Sequence, residues 1–270
     1  MSVLWLTGAP HVGKSTFGSA LYSWAVAESR PIAYVDIDIL DVVGPQSSID
    51  AECRRNLKIA NLYSVLETFH HAGADQVVVS GVVDPVDGIA SYVDSRIDVE
   101  FTLIRLRCSV EELRNRYLGC GFSERRISEL VSFAADLDHN DIGLPLDTTT
   151  MSSVDVVDVL ADHISPPGAP RSGTVTSAHE VPLSEDKSAV LLISSTTAAG
   201  KSTVGCEVVR LLWEQGIPAA YVDVDQLGFC RSGPTLAIKA ENLSRIRHNC
   251  RRKGVRALVE IGRASCRERV

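Results

Sequence analysis

GAPHVGKST, residues 8–16, decides the fold. From Gly8 to Ser15 it fills the pattern G-x-x-x-x-G-K-[ST]. Each part answers a need of a bound polyphosphate. Gly8 and Gly13 allow backbone torsions that a side chain would hinder, so that N–H groups turn toward phosphate oxygens. The helix that follows aims the positive end of its dipole at the same anion. Lys14 is placed to bridge the β- and γ-phosphates, and Ser15 to ligate Mg2+. Gly8, Ala9, Pro10, His11, Val12, Gly13, Lys14, Ser15 and Thr16 are therefore expected to hold a nucleoside triphosphate, ATP or GTP, with Mg2+. His11 either touches phosphate or serves as a spacer at the loop tip.

The flanking sequence supplies the context that such a loop requires. Residues 3–7 form a short apolar run that reads as a buried strand. Phe17, Ala20, Leu21, Trp24 and Ala25 follow helical spacing, so a helix leaves the loop. IAYVD (32–36) reads as a second strand, QVVVSG (76–81) as a third, FTLIRL (101–106) as a fourth and LPLDTT (144–149) as a fifth. Between them, helical patterns are expected around 62–69, from the Ser109/Glu112 capping spacing to about 118, over 123–138 and over 153–164. Strands alternating with helices imply a parallel sheet covered on both faces, with ligands at the carboxyl ends of the strands.

Asp36 and Asp38 close the second strand. Strand alternation would put both on one side. A carboxylate there would act as general base toward a substrate hydroxyl or organise Mg2+, with Asp36 ahead of Asp38. The alternative is a pair that caps the next helix. Ser80 stands at the end of the third strand, where many proteins with this loop carry an aspartate. Asp84 is a candidate replacement, though Asp84-Pro85 is equally good turn chemistry. Arg105, Arg107, Arg114, Arg116, Arg125 and Arg126 follow the fourth strand among glutamates. Most of them read as a solvated face, and Arg116 is the one expected to act on phosphate charge.

With these segments in view, domain one resembles the P-loop small-molecule kinases, a group that includes adenylylsulfate, gluconate, shikimate and nucleotide kinases. GAPHVGKST, YVDID, VVVSG, LRCSVEELRNRYLGCG and LPLDTTTMSSVDVVDVL carry the resemblance. It implies that Asp36 and Asp38 face the phosphate acceptor. It implies that Leu113 to Arg116 is the lid's L-x-x-R, and that the turn from Asp147 through Thr148 to Thr149 lies beside the adenine. Adenylylsulfate kinases also pair D-x-D with a serine after the third strand, as Asp36, Asp38 and Ser80 do. The lid's usual second arginine is missing near Gly119 and Cys120.

The chain also repeats itself. WLTGAPHVGKSTFG (5–18) returns as LISSTTAAGKSTVG (192–205), and PIAYVDIDIL (31–40) as PAAYVDVDQL (218–227). Lys201 follows Lys14 by 187 residues, as Asp223 follows Asp36; farther on, Asn242 follows Asn61 by 181. The second loop keeps Gly200, Lys201, Ser202 and Thr203 but has Ser195 in place of the first glycine. It is expected to be an impaired nucleotide site, with Ser202 at the metal. The expected organisation is a kinase-like domain over 1–165, a flexible Pro/Gly/Ser-rich linker over 166–188 and a second, truncated domain over 189–260. IGRASCRERV (261–270) resembles the translation of a common sequencing adapter, which implies that these ten residues are not natural. The fold class is accordingly α/β: a P-loop NTPase fold in one complete and one truncated copy.

A net charge of −7 argues against broad nucleic-acid or anionic-membrane binding. No apolar run approaches the roughly 18 residues of a membrane helix. Seven cysteines without metal-ligand spacing suggest reduced thiols and a cytoplasmic protein. Two functions fit. One is a kinase that moves a γ-phosphoryl group to a small-molecule acceptor. The other is a nucleotide-binding switch that hydrolyses slowly.

Overall fold

The computed structural model describes residues 1–93, 99–166, 189–196, 198–233 and 235–263. In chain order the elements are β1 (Ser2–Thr7), α1 (Lys14–Ala27), β2 (Ile32–Asp36), β3 (Val43–Gly44), α2 (Ala51–His71), β4 (Gln76–Ser80) and β5 (Glu100–Arg107). They continue with α3 (Val110–Gly119), α4 (Ile127–His139), β6 (Leu144–Asp147), α5 (Ser153–Leu160), β7 (Ala189–Ser194), α6 (Lys201–Glu214), β8 (Ala219–Asp223), α7 (Thr235–Arg252) and β9 (Ala257–Gly262). They divide into two compact units. One holds the described residues of Met1–Asp36 and Gly73–Ser172; the other holds those of Ile37–Ala72 and Gly173–Val270. All but one residue of the expected linker, 167–188, lies outside the described residues, as do 264–270 of the C-terminal stretch. Ile261 and Gly262 extend β9.

The first unit is an α/β fold. Its five-stranded sheet runs β2-β4-β1-β5-β6, every pair parallel. The order reverses at β1, which lies between β4 and β5, and a ligand crevice belongs at such a switch point. Both faces of β1 and β4 are covered, which is why Val3, Leu4, Trp5, Leu6, Val77, Val78 and Val79 are all buried and form continuous apolar runs. α1 buries Phe17, Leu21 and Ala25 at four-residue spacing. The Ser109 hydroxyl accepts from the Glu112 N–H at 3.2 Å, as the capping spacing predicts. The Glu112 carboxylate, however, turns to Arg116 instead of completing the box. The helix expected over 153–164 is α5 followed by a 3-10 turn at Ala161–His163.

The second unit has a four-stranded sheet, β3-β8-β9-β7. β7, β8 and β9 are parallel, and the two-residue β3 adds to β8 antiparallel. Ala189 pairs with Ala257 as Ser2 pairs with Gln76, and Ala219 with Ala257 as Ile32 with Gln76. The register therefore follows the sequence repeat residue by residue. α2 packs on α7 within this unit. Asn249 donates to Asn61 Oδ1 at 3.0 Å and to Ser64 Oγ at 3.1 Å. The buried amides of Asn61 and Asn242 make the same bond in each copy, to the carbonyls of Leu40 at 2.7 Å and Leu227 at 2.8 Å. The segment Ile37–Ala72, which the repeat assigns to the first copy, thus packs within the second unit.

Candidate nucleotide-binding site

The loop between β1 and α1 has the backbone that a phosphate cradle needs. Gly8 sits at φ 139° and Gly13 at φ 107°, both in the region that side chains disfavour. Gly13 is the residue before the first turn of α1. A Cβ on Gly8 would lie 2.4 Å from the Leu106 carbonyl oxygen, which is held in the sheet. Gly8→Ala is expected to cost about 2–4 kcal/mol from strain and overpacking together. A thermal melt without nucleotide, lowered by several degrees, is the expected outcome.

Lys14, almost fully buried, folds back over the loop, and its Nζ donates to the Ala9 carbonyl at 3.0 Å. The Ser15 hydroxyl donates to Asp36 Oδ2 at 2.5 Å. The structure thus brings together Lys14, Ser15 and Asp36, the residues assigned to the β/γ-phosphates, to Mg2+ and to proton transfer. An adjacent hydroxyl and carboxylate, the first exposed and the second part-exposed, are oxygen ligands of the kind that Mg2+ takes.

Asp38 differs from the expectation. β2 ends at Asp36, and Ile37–Ile39 is a 3-10 turn, so strand alternation does not carry Asp38 to the side of Asp36. Its carboxylate meets Lys58 at 3.1 Å. The repeat mates Asp225 and Lys239 form the same ion pair at 2.9 Å.

Ser80 is fully buried at the end of β4, and its hydroxyl lies 2.9 Å from the Tyr34 hydroxyl. Tyr34 reaches back to the Ser15 carbonyl at 3.4 Å. A Cβ on Gly18 would lie 2.8 Å from the Tyr34 ring, so Gly18 makes room for it. Sequence reasoning missed Tyr34. The available signal was the joint return of Tyr34 and Gly18 as Tyr221 and Gly205. Asp84 behaves as turn chemistry: its carboxylate accepts from the N–H groups of Val86 at 2.8 Å and Asp87 at 3.0 Å.

Arg116 is a strut. Its Nη1 donates to the Val12 carbonyl at 2.6 Å, its Nη2 to the Thr148 carbonyl at 2.8 Å and its Nε to Glu112 at 2.7 Å. One planar guanidinium therefore joins the loop after β1, α3 and the turn after β6. That turn is tied as well. The Asp147 carboxylate accepts from the Thr149 hydroxyl at 2.6 Å and its N–H at 3.0 Å, bonds that hold its pKa below the usual carboxylate range. Four other arginines of the group, Arg105, Arg107, Arg114 and Arg126, pair with carboxylates. Arg105 is buried against Asp138 and donates to the Ile142 carbonyl at 2.8 Å. Arg107 pairs with Asp147 at 3.5 Å, Arg114 with Glu124 at 2.5 Å and Arg126 with Glu129 at 3.0 Å.

His11 adopts φ 64° and packs its ring edge-on against Tyr117 at 5.0 Å and Phe122 at 4.7 Å. Burial first, and then the charge of Lys14, lowers its pKa.

In the second unit the loop repeats this backbone. Gly200 lies at φ 82°, Ala198 at φ 63°, and Lys201 Nζ donates to the Thr196 carbonyl at 2.8 Å, as Lys14 does to Ala9. Thr197 of this loop lies outside the described residues. The residues that follow are arranged differently from those of the first loop. Ser202 bonds to Tyr221, and burial pushes the Tyr221 hydroxyl up to about 12. Asp223 accepts from the Asp225 N–H at 3.0 Å, and burial raises its pKa.

Among the described residues no helix is long and apolar enough to cross a membrane, and no group of three or more His, Cys, Asp or Glu could hold a metal ion. No protein-family description matches the chain, and no curated protein sequence matches it. Solved structures similar to it include a tunicamycin resistance protein from Deinococcus radiodurans, with 13% identity, 62% of this chain and 99% of that chain covered, and a TM-score of 0.46. A shikimate kinase from Bacteroides thetaiotaomicron has 14% identity, with 60% and 97% covered and a TM-score of 0.42. An APS kinase from Mycobacterium tuberculosis, solved with AMPPNP and APS, has 16% identity, with 60% and 95% covered and a TM-score of 0.42.

Proposed function

We propose that the chain binds a Mg2+–nucleoside triphosphate on residues 8–16 and transfers the γ-phosphoryl group to a hydroxyl of a small molecule. The observation that carries this is the Ser15–Asp36 contact of 2.5 Å at the mouth of a lysine-closed loop. Lys14 leaves the Ala9 carbonyl for the β- and γ-phosphate oxygens, exchanging a neutral acceptor for charged ones. Mg2+, held by Ser15 and Asp36, would neutralise charge between the two phosphates. Asp36 takes the proton of the acceptor hydroxyl; that oxygen bonds to the γ-phosphorus, the bond from phosphorus to the bridging oxygen breaks, and the nucleoside diphosphate leaves. Arg116 and Thr148, with Asp147 behind them, form the platform for the base, where a guanidinium plane can stack on a ring.

A second nucleotide site on Gly200, Lys201, Ser202 and Thr203 fits the repeated backbone, weakened by Ser195 and by the altered partners of Ser202 and Asp223. We read the two loops as tandem copies over 1–165 and 189–260, with residues 261–270 derived from an adapter. The source DNA is the check: a genomic sequence encoding these ten residues before a stop codon would refute the adapter origin. The six described cysteines are free thiols, which supports a reducing, cytoplasmic compartment.

The slow nucleotide switch draws support from Ser80, which puts a hydroxyl bonded to Tyr34 where a second metal-organising carboxylate would stand. Both readings share the nucleotide. Lys14→Ala is expected to weaken Mg2+–ATP or Mg2+–GTP binding about tenfold to a hundredfold, since it removes one charge-assisted contact worth about 1.5–3 kcal/mol. Unchanged affinity by calorimetry, with the fold intact, would reject the loop as the site.

A further inference from the structure

We propose that the cleft between the tip of the phosphate loop and α4 holds the ring of the phosphoryl acceptor, and that the acceptor is an uncharged, ring-bearing alcohol. The inference rests on the kinase reading above and names its substrate class. The cleft measures about 350 Å3 and lies wholly within the first unit. That is the small end of the roughly 300–1,000 Å3 range of ligand pockets, enough for a small ring compound. Pro10 and His11 of the loop form one wall; Tyr117, Phe122, Leu130 and Phe133 form most of the rest. Whatever sits there lies beside the residues that receive the phosphates.

The wall is built for a flat apolar group. Tyr117 and Phe122 stack at 5.1 Å with 24° between their planes. His11 closes on both rings edge-first, and holding it there takes a left-handed backbone at a residue with a side chain. Phe122 remains 50% exposed, so an aromatic face is offered to the cleft at a cost in solvation. A ring seated on it would bury that face and gain offset stacking.

The charges say what the ligand is not. The charged lining residues Arg126 and Glu129 are paired with each other at 3.0 Å. Burial and the charge of Lys14 lower the pKa of His11 and so disfavour its cation, and a neutral imidazole has one nitrogen to donate and one to accept. Such a wall has no net cation for a sugar acid, a sugar phosphate or a sulfated nucleotide, and desolvating that anion would cost more than the cleft returns. It does have a neutral two-way partner for a hydroxyl. In the kinase reading the base of the nucleotide has its own platform at Arg116 and Thr148, which are joined by a 2.8 Å bond.

The test uses the full chain and 2-naphthylmethanol as probe, followed by saturation-transfer NMR. Gluconate serves as the anionic hydroxy acid and adenosine as the base competitor. The expected result is saturation of the naphthyl protons, undisturbed by adenosine, with none for gluconate. Phe122→Ala, half-exposed and so a small loss to the core, should weaken naphthylmethanol at least fivefold. Displacement by adenosine would make the cleft the base site and overturn the proposal. So would gluconate binding that Phe122→Ala weakens, or no transfer to naphthylmethanol in a chain that binds Mg2+–AMPPNP by calorimetry. Loss of Mg2+–AMPPNP binding alone would instead reject the kinase reading, and the probe result would still decide whether the cleft takes a neutral ring.

Discussion

Asp36→Asn should lower phosphoryl transfer by about a hundredfold to a thousandfold, within the range that a positioned general base contributes. Nucleotide affinity should fall by less than tenfold. The substitution keeps the shape of the side chain and its bond to the Ser15 hydroxyl, now accepted by an amide oxygen, so the 2.5 Å contact can persist in weaker form. What it removes is the negative charge that, in the proposed reaction, would receive the acceptor proton and help Ser15 to hold Mg2+. An interaction needed mainly in the transition state shows itself as a fall in kcat that greatly exceeds the fall in binding. The measurement is steady-state transfer with calorimetry on the same preparations. Transfer at the wild-type rate would make Asp36 structural, and it would turn attention to Asp84 despite the turn that its carboxylate already holds.

Arg247→Ala should destabilise the second unit by about 2–4 kcal/mol, somewhat below the range for breaking a fully buried ion pair because the arginine is part-exposed. Glu260 is fully buried in the middle of β9. Arg247, on α7, meets it with two parallel bonds, Nε to Oε1 at 2.6 Å and Nη2 to Oε2 at 2.5 Å. Truncating the arginine would leave a carboxylate in the sheet without its cation. The repeat puts apolar residues at the matching positions of the sequence, Leu66 for Arg247 and Val79 for Glu260, and each is buried. The double variant Arg247→Leu with Glu260→Val should therefore recover most of the loss. Hydrogen exchange read over β7–β9 is the measurement. Equal protection in wild type and Arg247→Ala would show that the pair contributes little, and failure of the double variant to recover would show that the ion pair specifies this packing.

The sequence by itself determined the glycine-bounded loop after β1, the strand–helix alternation and the internal likeness of its two halves. These are local properties. Glycine at 8 and 13 is demanded by torsions of the loop's own backbone, and apolar runs such as 77–79 become strands because both faces of a parallel sheet are covered. The five strands of the first unit were legible for that reason, each within a few residues of its observed bounds. Partners were not legible, because a side chain's partner depends on which distant backbone arrives beside it. Arg116 read as a phosphate cation, and nothing in its own stretch showed that its guanidinium would also donate to Val12, Thr148 and Glu112, groups 104, 32 and 4 residues away. Asp38 read as a companion of Asp36 until the chain turned into a 3-10 helix and gave it Lys58. The aromatic cleft was invisible as well: Pro10, His11, Tyr117 and Phe133 come from three separate stretches, and only the packing of α3 and α4 beside the loop assembles them. Periodicity reports which face a residue shows, and only tertiary structure decides what that face meets.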